Sequence, residues 1–200
     1  MRPRKMGTLV AALLLTAVWS FAQQGASPAA SDQNAQTAAA PSDQAKGMEA
    51  EVLSKMHQAN VMEIKAGELA KAKATEAHIR NYGDLLAKDH KVADKMIQDL
   101  ARKQGIQLTE PMPKNDEEKA AMEMQKQAMA ELESLSGPEF NRKFVAFNKQ
   151  AHDMAVQMTT TASQQLKPGP VQMLVSRMVP ILQQHDTLAE HLGQRQTASK

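Results

Sequence analysis

Four side chains able to bind a transition metal lie on or beside apolar helical stripes: Glu63, His90, His152 and His185. One carboxylate and three imidazoles that converge inside an apolar interior would suit zinc, iron, copper or manganese. Asp89, next to His90, could add an oxygen or orient a ring from behind the ligands. The residue types therefore predict a metal site, provided that four helices bring these positions together.

The positions of the four residues along their helices agree with this requirement. Glu63 lies about 11 residues before the first predicted interhelical turn and His90 about 15 after it, while His152 and His185 lie about 16 and 17 residues from the last turn. At about 1.5 Å per residue, all four fall near the middle of a bundle. The spacing thus predicts one layer of polar groups halfway along the helices.

Two other interpretations of these residues remain open. A lone histidine on an apolar stripe is usually a satisfied core residue, so the layer could be a hydrogen-bonded network without metal. Twelve of the fourteen methionines follow the predicted signal peptide, and thioethers suit Cu(I), but several stand at core spacing, where methionine fills gaps: Met56, Met96, Met154, Met158 and Met178. Three further histidines are expected to face solvent: His57, His78 and His191.

Apolar periodicity predicts four long helices, at about 46–73, 75–104, 138–166 and 170–193. The buried stripe of the first is Val52, Met56, Ala59, Glu63, Ala66 and Ala70. The second carries Ile79, Gly83, Leu86, His90, Ala93, Ile97 and Leu100. The third carries Phe140, Phe144, Phe147, Ala151, Met154 and Met158, with His152 on its flank. The fourth carries Val171, Leu174, Met178, Ile181, His185, Leu188 and Leu192.

Breaks between these stripes predict the connections. Gly105 is a candidate C-cap, and Asn115 is an N-cap for a shorter helix at about 116–134. The segment 167–170, Lys-Pro-Gly-Pro, is a tight turn, and Pro180 predicts a kink in the last helix. A link of about 33 residues between the second and third long helices predicts that these two run parallel, joined by a crossover that contains the short helix.

The ends of the chain predict export. Arg2, Arg4 and Lys5 precede an apolar stretch and a small-x-small site, so residues 1–22 read as a signal peptide cleaved after Ala22. The composition predicts a disordered linker at 23–45, the folded domain at 46–195 and a disordered tail at 196–200. About 14 apolar residues are too few to span a bilayer, so no transmembrane segment is expected in the mature chain.

Composition excludes several classes of function. Without Arg2, Arg4 and Lys5, the chain has 21 of its 24 basic side chains and 22 acidic ones, a net charge of −1. It therefore lacks the excess of positive charge that binds nucleic acid. Cysteine is absent, which excludes disulfides and a lipoprotein anchor. No phosphate-binding loop, nucleophile elbow or zinc-protease motif is present.

Five segments together resemble a known family: Val61-Met-Glu63-Ile, Leu86-Ala-Lys-Asp89-His90, Leu135-Ser-Gly-Pro-Glu-Phe140, His152 and Val179-Pro180-Ile-Leu-Gln-Gln-His185. Over residues 50–193 the chain resembles the bacterial domain of unknown function 4142, often labelled "predicted outer membrane protein". The resemblance implies an all-α, ferritin-like four-helix bundle in the periplasm or cell envelope, with no established activity.

The chain departs from ferritin-like di-iron sites and from the family that it resembles. Di-iron members use a Glu-x-x-His pair on each of two helices, whereas Ala87 and Leu182 precede His90 and His185 by three residues. Ala151 stands where the family usually has an acidic residue. We therefore expect an envelope binding protein rather than an enzyme. The alternatives are a metal-dependent redox enzyme and a structural bundle that binds an envelope partner.

Overall fold

The computed structural model describes residues 43–198, which form five α-helices and, within that range, no strand. They are α1 (Asp43–Lys73), α2 (Ala77–Gln104), α3 (Asp116–Ser134), α4 (Gly137–Gln165) and α5 (Pro170–Ala198). The all-α prediction, with one short extra helix, is confirmed. None of these helices combines the length and the apolar character needed to cross a membrane. The predicted signal peptide, 1–22, and linker residues 23–42 lie outside the described residues.

Local chemistry sets most helix ends where the sequence predicts them. Gly105 ends α2 in the left-handed conformation with φ 65°, and the Asn115 side chain accepts a 2.8 Å hydrogen bond from the Glu118 N–H at the start of α3. Two ends differ from the prediction. Helix α1 already begins at Asp43, and α5 continues through Pro180 as far as Ala198.

Two antiparallel hairpins, α1–α2 and α4–α5, make up the bundle, with α1 beside α4 and α2 beside α5. The start of α4 lies against the α1–α2 turn, because Asn141 Nδ2 donates hydrogen bonds to Thr75 Oγ1 at 2.8 Å and to Glu76 Oε1 at 2.9 Å. Helices α2 and α4 therefore begin at the same end and run parallel. Helix α3 makes the return crossover along α1 and α4, where Lys143 pairs with Glu131 at 2.6 Å.

Helices α1 and α2 approach each other most closely at two glycines. A Cβ on Gly67 would lie 2.5 Å from the Gly83 carbonyl oxygen and 2.9 Å from the Ala87 nitrogen. Gly67 lies two turns after Asn60 in α1, and Gly83 lies two turns before His90 in α2. Since the helices are antiparallel, the register fixed by the glycines also places Asn60 opposite His90.

A polar layer separates two apolar clusters along the bundle. The cluster at the α1–α2 turn is built around Ala66, Ile79, Tyr82, Leu86, Phe140, Phe144 and Leu192. The cluster at the α4–α5 turn is built around Val52, Leu53, Ile97, Ala162, Leu166, Val171 and Val175. Between them along the four long helices lie buried polar residues: Asn60, Glu63, His90, Asp94, Asn148, His152 and His185.

Some residues that were predicted to be buried are exposed. Ala59 faces solvent and its neighbour Asn60 is buried, because α1 packs far more on α2 than on α4. Met154 and Met158 are 42% and 38% exposed. Residues 119–127 of α3 are themselves exposed. Met96 and Ile181 are also exposed, at 41% and 40%.

The close glycine contact generates a stability prediction. Gly67→Ala should lower the free energy of unfolding by about 1 to 3 kcal/mol or more, because the new methyl group meets backbone that cannot move freely. Gly47→Ala in the same helix is the matched control. A Cβ there meets nothing within 4 Å, so the substitution should stabilise the domain by up to about 1 kcal/mol through helix propensity. Urea unfolding of both variants measures the difference, and equal effects would contradict the register argument.

Candidate metal centre

Three histidines meet at the centre of the bundle, one from each of α2, α4 and α5. His90, His152 and His185 are 5%, 1% and 1% exposed. Their ring centroids are separated by 5.7 Å (His90 to His152), 5.3 Å (His90 to His185) and 5.3 Å (His152 to His185). One ligand nitrogen from each ring lies within 4.8 Å of the other two, a spacing that a single metal ion can bridge.

Each imidazole is held by a hydrogen bond on one ring nitrogen. His90 Nδ1 lies 2.7 Å from Asn60 Oδ1, His152 Nδ1 lies 2.9 Å from the Asn148 carbonyl oxygen, and His185 Nε2 lies 2.9 Å from Asp89 Oδ2. All three partners are oxygen acceptors, so the bonded nitrogen carries the proton.

The other nitrogen of each ring has no hydrogen-bond partner among the described residues. These atoms are His90 Nε2, His152 Nε2 and His185 Nδ1. In a neutral ring whose bonded nitrogen carries the proton, this second nitrogen offers a lone pair. Two further buried oxygens in this layer also lack partners, Glu63 Oε2 and Asn148 Oδ1. Five unsatisfied polar atoms at one level of an apolar interior are unusual, because buried polar groups are normally paired.

Burial keeps His90 and His152 neutral. It lowers the pKa of His90 to about 3, with His152 and His185 adding like-charge repulsion. Burial also lowers the pKa of His152 to about 4, against the hydrogen bond from its ring to the Asn148 carbonyl. At neutral pH both rings are therefore uncharged, which is the protonation state that binds metal.

Glu63 is buried in the same layer but is not one of the residues whose ligand atoms lie within 4.8 Å of one another. Burial raises the pKa of its carboxyl to about 8, so the group is mostly protonated at neutral pH. The sequence placed Glu63 with the three histidines. The structure brings the histidines together and leaves this carboxyl at their level, outside the group.

Asp89 contacts a different ring from the one that its position in the chain suggests. It precedes His90, yet its carboxylate bonds His185 on α5. Successive residues of a helix point about 100° apart, so Asp89 faces α5 while His90 faces the interior. Asp89 thus contacts a ring across the helix interface, and its role in orienting a metal ligand stays a prediction.

Asn60 and Asn148 are the residues of this site that the sequence interpretation missed. Each lies one turn before a residue that was singled out, Asn60 before Glu63 and Asn148 before His152. A polar amide on an apolar stripe beside a metal-capable residue was the available signal. The predicted stripe of α1 passes through Ala59 and does not include Asn60.

The remaining histidines lie apart from the centre. His57 is partly exposed, and its Nδ1 lies 2.6 Å from Asp94 Oδ1. His78 lies 2.9 Å from Glu76, and His191 is exposed. A surface cavity of about 290 Å³ lies between α2 and α5. It is lined by Met96, Leu100, Met173 and Leu174, among others, and by none of the three central histidines.

Comparison with known proteins gives a family match and two similar folds. The family model described as domain of unknown function (DUF4142) matches residues 33–192. The crystal structure of a DUF305 fragment from Deinococcus radiodurans has a TM-score of 0.65 at 16% identity, covering 74% of this chain and 96% of that one. The crystal structure of a putative secreted DUF305 protein from Streptomyces coelicolor has a TM-score of 0.61 at 14% identity, covering 76% and 92%. No curated protein matches the chain.

The buried titratable groups predict how stability depends on pH in the metal-free protein. His90 and His152 have folded pKa values below the usual 6.5, so below that pH the unfolded state binds more protons and stability falls. Burial raises the pKa of Glu63 in the folded state from 4.5 to about 8. Between these pH values the folded state binds more protons than the unfolded state, so the free energy of unfolding falls as the pH rises. As the pH falls below 6.5, the two histidines lower the free energy of unfolding by more than Glu63 raises it. Stability should therefore peak near pH 6.5 and fall by about 1 kcal/mol per pH unit on either side.

Glu63→Gln should remove the decline above pH 6.5 and leave the acid decline in place. The exposed residue Glu123 provides the control, because Glu123→Gln should reproduce the parent curve. Urea unfolding between pH 4 and 8.5 with a chelator present gives both profiles. An alkaline decline that persists in Glu63→Gln would contradict the assignment.

Proposed function

The chain belongs to the DUF4142 family, and we propose that it is an exported helical-bundle protein that binds one transition-metal ion through His90, His152 and His185. The observation that carries this proposal is the set of three buried imidazoles whose outer nitrogens are hydrogen-bonded and whose other nitrogens have no partner among the described residues. Three lone pairs close together in an apolar interior favour a cation between them.

The donor chemistry favours a borderline metal. Imidazole nitrogens suit zinc, copper, iron and nickel, whereas calcium and magnesium prefer oxygen ligands. Zinc, iron, copper and manganese remain the candidates set by the sequence. Glu63 is our candidate for a fourth ligand, since its Oε2 is buried in the same layer and has no partner within residues 43–198.

A purely hydrogen-bonded polar layer explains the site less well. Such a layer would pair both nitrogens of each ring, whereas here each histidine bonds Asn60 Oδ1, the Asn148 carbonyl or Asp89 through one nitrogen and leaves the other without a partner among the described residues. The cost of leaving the inner atoms unpaired, on the order of 1 to 3 kcal/mol each, would be avoided by coordination.

Burial of the centre favours binding without turnover. None of the three imidazoles is more than 5% exposed. The two cavities described on the surface, of about 290 and 130 Å³, lie towards the end of the bundle that carries the α4–α5 turn. A redox enzyme would need a path by which substrate reaches the metal. We therefore prefer a metal carrier or a metal-stabilised envelope protein to an enzyme.

Metal content tests the binding proposal. The mature chain, purified after expression with zinc, copper, iron and manganese supplied, should carry about one metal ion per chain by mass spectrometry of the elements. His90→Ala and His185→Ala should each lose it, because two imidazoles remain. His191→Ala, an exposed histidine on α5, is the matched control and should keep the metal. Equal metal content in all four proteins, or none in the parent chain, would refute the proposal.

Export is supported by the basic and apolar start of the chain and by the description of the Streptomyces coelicolor protein as a putative secreted protein. Expressed in a Gram-negative host, the chain should be recovered from the periplasmic fraction with an N-terminus at about Gln23. Leu13→Arg places a charge in the apolar segment and should keep the precursor uncleaved in the cytoplasm. A cytoplasmic parent chain that retains Met1 would contradict export.

A further inference from the structure

We propose that Asn60 is a positioning residue for the ligand His90, a role by which α1 takes part in a metal centre whose three imidazoles come from other helices. The inference rests on the proposed function. Asn60 is 6% exposed, and its Oδ1 lies 2.7 Å from His90 Nδ1. Asn60 would neither contact the metal nor replace a ligand.

The chemistry of the contact fixes the tautomer of His90. A carbonyl oxygen can only accept a hydrogen bond, so Nδ1 of the neutral ring must carry the proton. The lone pair is then on Nε2, the nitrogen that has no partner among the described residues. Without an acceptor at Nδ1, the proton can move to Nε2, where it would occupy the position of the metal.

Asn60 is the side-chain acceptor of this set that lies deepest in the protein. The acceptor for His152 is the backbone carbonyl of Asn148, which no side-chain substitution removes. The acceptor for His185 is Asp89, whose side chain is 40% exposed, so water can replace its oxygen. At Asn60, which is 6% exposed, water has little access to restore the lost hydrogen bond.

The backbone around Asn60 holds the amide in place. The Gly67–Gly83 contact, two turns away in both helices, fixes the antiparallel register of α1 and α2. One turn in the other direction, His57 of α1 bonds Asp94 of α2 at 2.6 Å. Asn60 thus lies between two contacts that join α1 to α2. These contacts fix the position of its backbone relative to His90.

Two substitutions with opposite expected effects test the role. Asn60→Leu has similar volume and no acceptor, whereas Asn60→Asp retains an oxygen next to Nδ1 and strengthens it with charge. In the metal-free proteins, labelled with ¹⁵N at histidine, nitrogen NMR should report the Nδ1–H tautomer of His90 in the parent chain and in Asn60→Asp. Asn60→Leu should show the Nε2–H form or a mixture.

Zinc affinity gives the second measurement. A competition titration with a chromophoric chelator should show binding about 10- to 100-fold weaker in Asn60→Leu, the usual range for loss of a ligand's outer partner. Asn60→Asp should bind zinc at least as tightly as the parent chain. Gln172→Leu removes a part-buried amide that joins α5 to α4, where Gln172 Nε2 donates to the Ser163 carbonyl at 3.2 Å, and should leave zinc affinity unchanged.

The outcomes separate this inference from the proposed function. If the parent chain binds no zinc and no other metal, the proposed function fails, whatever the tautomer. If the parent chain binds zinc but Asn60→Leu keeps both the affinity and the Nδ1–H tautomer, the positioning role of Asn60 is overturned. A loss of affinity in Asn60→Asp equal to that in Asn60→Leu would also overturn it, because the acceptor would then be irrelevant.

Discussion

The structure depends on how three buried imidazoles are accommodated between two apolar clusters. Burying a polar group without a partner costs stability. One nitrogen of each ring is hydrogen-bonded, to Asn60, to the Asn148 carbonyl or to Asp89, and this offsets part of that cost. The inner nitrogens remain unpaired among the described residues. The unpaired nitrogens of the three rings therefore lie close together at the centre of the layer.

Packing of the helices makes this arrangement specific. The glycines at 67 and 83 let the backbones of α1 and α2 come close, and the register that follows places an amide of α1 opposite an imidazole of α2. On the other side of the bundle, Lys149 of α4 pairs with Asp153 at 2.6 Å and with Asp186 of α5 at 3.1 Å. These aspartates directly follow His152 and His185 in the chain. Each hairpin thus has its own contact that aligns a histidine with the neighbouring helix.

Apolar clusters lie on either side of the layer, whose polar side chains are buried. They raise the pKa of Glu63 and lower those of His90 and His152, because a low-dielectric interior disfavours the charged form of each group. In this environment a neutral carboxyl and neutral imidazoles can coexist in one layer. The family match and the similar structures concern the helical bundle as a whole. The proposal of metal binding rests on the side chains of this layer.

The sequence by itself determined the five helices, the crossover and the common level of the three histidines, because hydrophobic periodicity and capping residues are local properties that hold for each helix alone. Only the tertiary structure decided that Asn60 rather than Ala59 is buried, that Asp89 bonds His185 rather than the neighbouring ring, and that Met154 and Met158 are exposed. Periodicity shows which face of a helix is apolar. Which edge of that face is covered, and which atoms meet across it, depends on the rotation and register of the neighbouring helix, set here by contacts between residues far apart in the chain.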